Sequence, residues 1–257
     1  MADRPIFFMH IAKTAGSFVN HVVNVSAQEG QYDFHIERFL RYKEYFEKEA
    51  KEKIFVSGHV YLSDWLDMSK TYSLDFDIMT IIREPFSHIV SHMLWLDHYN
   101  QREFRGEFNA LDQNTQTVVD RIGAVNFEDP GSLDNFLTHL SPRGIQYLDN
   151  CQARYFLCGN QEPIERFQPL TLAMRFAIAK KLDNVAFIST NVEAFVEELG
   201  RRLPFPLTVS PEKVNEAKAA RRIDINNRMI KRVIEKRILV DLWLYERIVK
   251  AGSAKKP

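Results

Sequence analysis

The chain has 257 residues, 45% hydrophobic, and its 34 Lys and Arg balance 34 Asp and Glu to a formal net charge of zero. Neutrality excludes a general nucleic-acid binder, whose affinity rests on neutralised phosphates; the length allows one large domain or two small ones with a good core. No apolar run approaches the ~20 residues that cross a bilayer, and Ile6–Ile11 is too short for a leader, so a cytoplasmic protein is expected.

Ile6–Ile11 reads as a buried parallel strand. It stops at Lys13-Thr14-Ala15-Gly16-Ser17, and a helical pattern follows over Ser17–Ala27, with Phe18, Val19, Val22 and Val23 at its start. Strand, tight loop and helix N-terminus is a geometry that holds a phosphate. Backbone N–H groups point into the loop and the helix dipole favours an anion. Gly16 lets backbone approach a ligand, Lys13 brings a mobile positive charge, and Thr14 and Ser17 bring hydroxyl donors. The order is not that of a Walker A loop, which places lysine after the glycines. The competing reading is an ordinary strand-to-helix turn with a solvated lysine.

A helix is expected over Ile36–Glu52, then strands at Ile54–Ser57 and Phe76–Ile82. Gly58-His59-Val60 follows the first of these strands. Arg83-Glu84-Pro85 follows the second and opens a helix over Phe86–Leu96. Pro85 suits a first helical turn, where its missing N–H has no partner to lose. Arg83 offers a planar fork of donors matched to a phosphate, and Ser91, two turns into the helix, reaches back toward the same anion. Alternatively, Arg83 pairs with a loop carboxylate and Ser91 faces solvent. His88 and His92 have metal-ligand spacing, but no third ligand is evident nearby, so no metal is expected.

Residues 99–132 are polar and turn-rich and read as an excursion over the site mouth, with a short helix at Thr115–Ile122. Cys151 and Cys158 stand two helical turns apart, too far for an easy disulfide, and read as reduced and core-packed. A fourth strand is expected at Val185–Ser189 and a helix over Asn191–Leu203, with Asn191 as N-cap. Pro204, Pro206 and Pro211 break the chain before a basic segment, 212–257, which holds 13 Lys and Arg against 6 Asp and Glu. Within it Ile223–Val249 has helical apolar spacing and is expected to pack on the sheet. Its charge suits an anionic ligand, a membrane surface or simply a solvated helix face. The alternation predicts a single α/β domain built on a parallel sheet, with ligands at the carboxyl ends of the strands. The Lys13 loop, His59 and Arg83 all fall there.

Two anion-binding elements at strand tips imply a ligand with phosphates in two places. Here the chain resembles the sulfotransferases that use 3′-phosphoadenosine 5′-phosphosulfate (PAPS), in the carbohydrate branch that includes heparan sulfate 2-O-sulfotransferases and bacterial relatives. His10-Ile11-Ala12-Lys13-Thr14-Ala15-Gly16-Ser17 looks like that branch's 5′-phosphosulfate loop, and Arg83-Glu84-Pro85 through Ser91 looks like its 3′-phosphate element. Gly58-His59-Val60 resembles the segment carrying the base, and Asn150-Cys151-Gln152-Ala153-Arg154 is similar to a weaker N-x-Q-[TA]-R stretch. Ala12 and Ser17 replace the usual proline and threonine, and His88 stands where an arginine is common. The resemblance runs to about Asn215.

The resemblance implies a sulfotransferase fold with a P-loop-like sheet; with no membrane anchor evident, a bacterial cytoplasmic enzyme is expected. PAPS would be the donor and 3′-phosphoadenosine 5′-phosphate (PAP) the product, without a metal. Lys13, Thr14, Ala15, Gly16, Ser17 and Phe18 would hold the 5′ end, and Arg83 and Ser91 the 3′-phosphate. His59 would be the general base, and Lys13 would stabilise the leaving group. The acceptor would be a hydroxyl of a glycan or glycolipid, with a small molecule or lipid as the alternative. His98 and His139 are runner-up bases, and Arg221 and Arg222 either reach the cofactor or are simply solvated. Tyr61, Trp65, Trp95, Tyr99 and Phe104 either stack on sugars or belong to the core. The rival readings are a magnesium-dependent kinase and a non-catalytic binding module.

Overall fold

The computed structural model describes residues 4–159, 168–209 and 221–254. Its strands are β1 (Ile6–Met9), β2 (Tyr32–Asp33), β3 (Phe55–Gly58), β4 (Asp77–Ile81) and β5 (Phe187–Ser189). All pair in parallel, in the order β2-β3-β1-β4-β5. The four expected strands are present within a residue or two of their ends. The short edge strand β2 carries too little apolar pattern to be read from sequence.

The helices are α1 (Gly16–Ser26), α2 (Lys43–Glu47), α3 (Leu62–Tyr72), α4 (Pro85–His98), α5 (Arg105–Ala110), α6 (Gln113–Gly123) and α7 (Pro130–Thr138). They continue with α8 (Pro142–Leu148), α9 (Cys151–Leu157), α10 (Arg175–Leu182), α11 (Val192–Arg202), α12 (Arg228–Glu235) and α13 (Leu239–Ala254). The result is an α/β architecture with a parallel sheet flanked by helices. Among the described residues, no helix is long and apolar enough to cross a membrane.

Alternation along β1 divides the core. Phe7 and Met9 point to one face, where they join Val56, Ile78, Trp65 of α3 and Val240 and Leu244 of α13. Ile6 and Phe8 point to the other and meet Val19 and Val23 of α1 and Phe195 and Leu199 of α11. Both faces are covered, which is why these strands read as continuous apolar runs. Two helix starts form as expected. The Glu84 carboxylate accepts from the Phe86 and Ser87 N–H groups at 3.0 and 2.7 Å with Pro85 in the first turn, and Asn191 Oδ1 accepts from Ala194 N at 2.7 Å.

Three expectations change. Ile36–Glu52 is not one helix but a 3-10 turn at Ile36–Phe39, the short α2, and another 3-10 turn at Glu49–Glu52. Tertiary contact overrides periodicity here: the first turn is pressed against Gly58, where a Cβ would lie 2.6 Å from Glu37 Oε2 and 2.9 Å from Ile36. Residues 99–132 hold more helix than the one expected, with a 3-10 turn at Arg102–Phe104 and α5 ahead of it. The expected Thr115–Ile122 helix lies inside α6, whose Val118, Val119 and Ile122 pack with Ile89, Met93 and Leu96 of α4 in a second core. Ile223–Val249 is two helices, broken where Asn150 enters. Asn150 N donates to Arg237 O at 2.8 Å, and its Oδ1 accepts from the Val240 and Asp241 N–H groups at 2.7 and 3.2 Å. As a result α12 packs in the second core and only α13 reaches the sheet side. Pro211 and residues 212–220 of the basic segment lie outside the described residues.

Candidate functional site

The sheet register sets the site. Met9 lies beside Gly58 on one side and Thr80 on the other, so the chain leaves three adjacent strand tips together at His10, His59 and Arg83. A cavity of about 1010 Å³ opens there. Lys13, Ala15, Gly16, Ser17, Phe18, His59, Arg83 and Ser91 all line it. Of the residues that the resemblance assigns to the donor and the base, Thr14 is the one that does not.

The Lys13 loop turns sharply. Lys13 and Ala15 have φ of 66° and 70°, in the left-handed region that L residues seldom enter. Thr14 Oγ1 donates to Ile11 O at 2.8 Å, and Ala15 O accepts from the Phe18 and Val19 N–H groups at 3.0 and 3.2 Å. The Thr14 hydroxyl proton is thus engaged inside the turn in this structure. The reason for Gly16 changes. A Cβ there would sit 1.9 Å from His10 Cδ2 and 2.0 Å from Nε2, so the missing side chain makes room for the buried His10 ring as well as for any ligand. The Gly16 and Ser17 N–H groups precede these bonds and have no acceptor within the helix, and the Ser17 residue is exposed.

The opposite wall is built around Arg83. Its backbone is gripped from both sides by the buried Gln152 side chain: Arg83 N donates to Oε1 at 2.7 Å, and Nε2 donates to Arg83 O at 2.9 Å. Arg83 Nη1 reaches the Lys13 carbonyl at 3.4 Å. Burial, and then the Arg83 charge, hold the Lys13 ammonium below its ordinary pKa. Its Nζ lies 5.8 Å from the Trp95 ring centre. Buried His88 supports the loop from below, with Nε2 donating to Ala12 O at 2.8 Å. Burial pushes its pKa down to about 4, so the ring is neutral at pH 7.

His59 sits between these walls. Its Nδ1 lies 2.7 Å from His10 O, an acceptor, which puts the ring proton on Nδ1 and the basic lone pair on Nε2. Tyr155 Oη lies 3.3 Å from the same Nδ1, and the His10 ring packs 4.3 Å away. Glu37 Oε2 accepts from His59 N at 2.9 Å, and its other oxygen meets His35 Nδ1 at 3.1 Å. Burial lowers the His59 pKa, partly opposed by the Glu37 charge. The neutral ring that general-base chemistry needs is thus favoured at pH 7.

The other candidates separate cleanly. His98 lines the cavity, with Nδ1 donating to Trp95 O. His139 is exposed, bonds Asn135 O at 2.9 Å and does not line the cavity. Arg221 does not reach it either; its guanidinium is occupied by Asp97 (Nε to Oδ2, 2.8 Å), Val125 O (2.7 Å) and Ile122 O (2.9 Å). Arg222 is exposed elsewhere. Trp65 is core, stacked on Phe7 at 3.8 Å, whereas Tyr61, Trp95, Tyr99 and Phe104 line the cavity. Neither Cys151 nor Cys158 is in a disulfide, as expected. Compared with known proteins, the chain matches no family model and no curated sequence.

Sequence reasoning gives no role to Gln152, Glu37 or the His10 ring. Gln152 has a signal in the N-x-Q-[TA]-R stretch, which proves to be scaffolding. Asn150 ties the α12–α13 break, Gln152 holds Arg83, and buried Arg154 bonds Asp149 (Nη2 to Oδ1, 2.8 Å) and Gln168 O (2.6 Å). Glu37 has none, because it falls inside an expected helix.

Proposed function

We propose that the chain transfers the sulfuryl group of PAPS to a hydroxyl, on a sulfotransferase-type version of this sheet. The observation that carries the proposal is the shared cleft. A cation-bearing helix N-terminus (Lys13) and a second cation (Arg83) stand on neighbouring strand tips, and a neutral, oriented imidazole (His59) opens onto the same cavity. The Gly16 and Ser17 N–H groups and the Ser17 hydroxyl take the 5′-phosphate, and Arg83 with Ser91 takes the 3′-phosphate. Thr14 contributes through the shape of the turn.

In the reaction, the acceptor oxygen attacks sulfur in line while its proton passes to His59 Nε2. The bond from sulfur to the bridging oxygen breaks, and PAP leaves with that oxygen's charge met by Lys13. The acceptor occupies the remaining cavity beside Trp95, Tyr99, Phe104 and Arg143. Aromatic faces next to a few polar groups suit a sugar ring, so a glycan or glycolipid is the favoured acceptor class.

The experiment is transfer of labelled sulfate from PAPS to a panel of hydroxylated acceptors without divalent metal. Label on an acceptor and release of PAP support the assignment. Magnesium-dependent phosphorylation from ATP, with no sulfate transfer, would replace it by the kinase reading.

A further inference from the structure

Beneath the Lys13 loop lies a group of side chains that sulfuryl transfer does not use. His88 and His92 stand one turn apart on α4, and Cys151 opens α9 beside them. One ring nitrogen of each histidine and the cysteine sulfur all lie within 4.8 Å of one another, and all three residues are buried. Sequence spacing shows the histidine pair but not the third group, which comes from 59 positions further along the chain than His92.

A second observation points to a ligand. His92 is only 1% exposed, yet its Nδ1 has no hydrogen-bond partner among the described residues. A buried polar atom without a partner is costly and rare, and an ion is one of the things that accounts for it. His92 and Cys151 also line the cavity, which supplies an entry path and room for a fourth, water-derived ligand.

We propose that His88, His92 and Cys151 form a binding site for a thiophilic d10 cation of the zinc class. Two imidazoles and a thiol are the donors such ions select, whereas magnesium and calcium take oxygen. Bond lengths of about 2.0–2.3 Å require the three donor atoms to draw closer when the ion binds. As the metal–sulfur bond forms, the thiol proton is released to solvent. The cation ties α4 to α9 directly under the loop that His88 supports, and it takes no part in the transfer step proposed above.

The test is titration of the full chain with Cd²⁺, reading the sulfur-to-cadmium charge-transfer absorbance, with Zn²⁺ affinity measured by competition against a chromophoric chelator. One equivalent of Cd²⁺ should produce the band. Cys158→Ser should keep it, Cys151→Ser should abolish it, and His92→Gln should weaken Zn²⁺ binding at least about tenfold. In the unmutated protein, bound cadmium should protect Cys151 but not Cys158 from alkylation, a readout that does not depend on a variant folding. Absence of the band, its dependence on Cys158, or binding without any sulfur signal (as at the His35, Glu37 and His59 grouping) would overturn the proposal.

Discussion

Arg83 Nη1 donates to the carbonyl oxygen of Lys13 across 3.4 Å, joining the tips of two neighbouring strands. The proposed chemistry rests on this contact, because it puts two cations of separate sequence motifs on one cleft. Two like charges held close cost free energy in an empty cavity. An anion with a phosphate near each of them recovers that cost.

Gln152 is predicted to govern Arg83 without touching a ligand. Gln152→Ala removes both hydrogen bonds to the Arg83 backbone and leaves a donor and an acceptor unpaired, at about 1–3 kcal/mol. Urea unfolding should show that loss, and calorimetry should show weaker PAP binding. Gln152→Glu keeps the acceptor, loses the donor and should fall between. Unchanged PAP affinity in both variants would separate Arg83 from the nucleotide.

Gly16→Ala drives a methyl group into the His10 ring. Overpacking of this kind costs about 1–3 kcal/mol. The double variant Gly16→Ala with His10→Ala should be less destabilised than the sum of the singles, because the second change removes the clash. Additive losses in denaturation experiments would mean that the ring and the glycine do not compete for the same space.

His59 is the proposed base and acts only when neutral. Burial lowers its pKa, so the rate should rise with pH, from an acid limb below the ordinary histidine value of ~6.5 to a plateau at neutral pH. Glu37 raises that pKa, so Glu37→Gln should move the acid limb to still lower pH while the amide oxygen keeps the His59 N–H satisfied. A limb moving upward would contradict the electrostatic assignment. His59→Gln should abolish transfer and retain PAP affinity.

Lys13 is assigned to the leaving group. Lys13→Ala should lower kcat by about 10²–10³, the scale for losing one donor aimed at developing charge. A change confined to KM would make Lys13 a binding group only.

Much of this site is legible in the sequence because its residues lie just past strands that are apolar on both faces. Ile6–Ile11 and Phe76–Ile82 are readable without long-range information, and Lys13 and Arg83 follow directly. His59 follows Gly58 in the same way. What sequence does not carry is contact between distant segments. Gln152 reaches Arg83 across 69 positions, and Glu37 reaches His59 across 22. Local pattern locates Thr14 and Gly16 in the loop but explains them incompletely, since the turn uses the hydroxyl internally and the His10 ring fills the glycine's space. The helix expected over Ile36–Glu52 fails for the same reason that Glu37 goes unnoticed: packing against Gly58 outweighs local periodicity. Asn150 likewise divides the C-terminal helix from a distance.

The most direct measurement compares binding of PAP and adenosine 5′-monophosphate by calorimetry, without magnesium, in the unmutated chain and in Arg83→Ala. PAP is predicted to bind at least about tenfold tighter than the monophosphate, and Arg83→Ala to remove the difference while monophosphate affinity holds. Equal affinities in the unmutated chain, or a preference that survives loss of Arg83, would contradict a cleft that grasps both ends of the nucleotide.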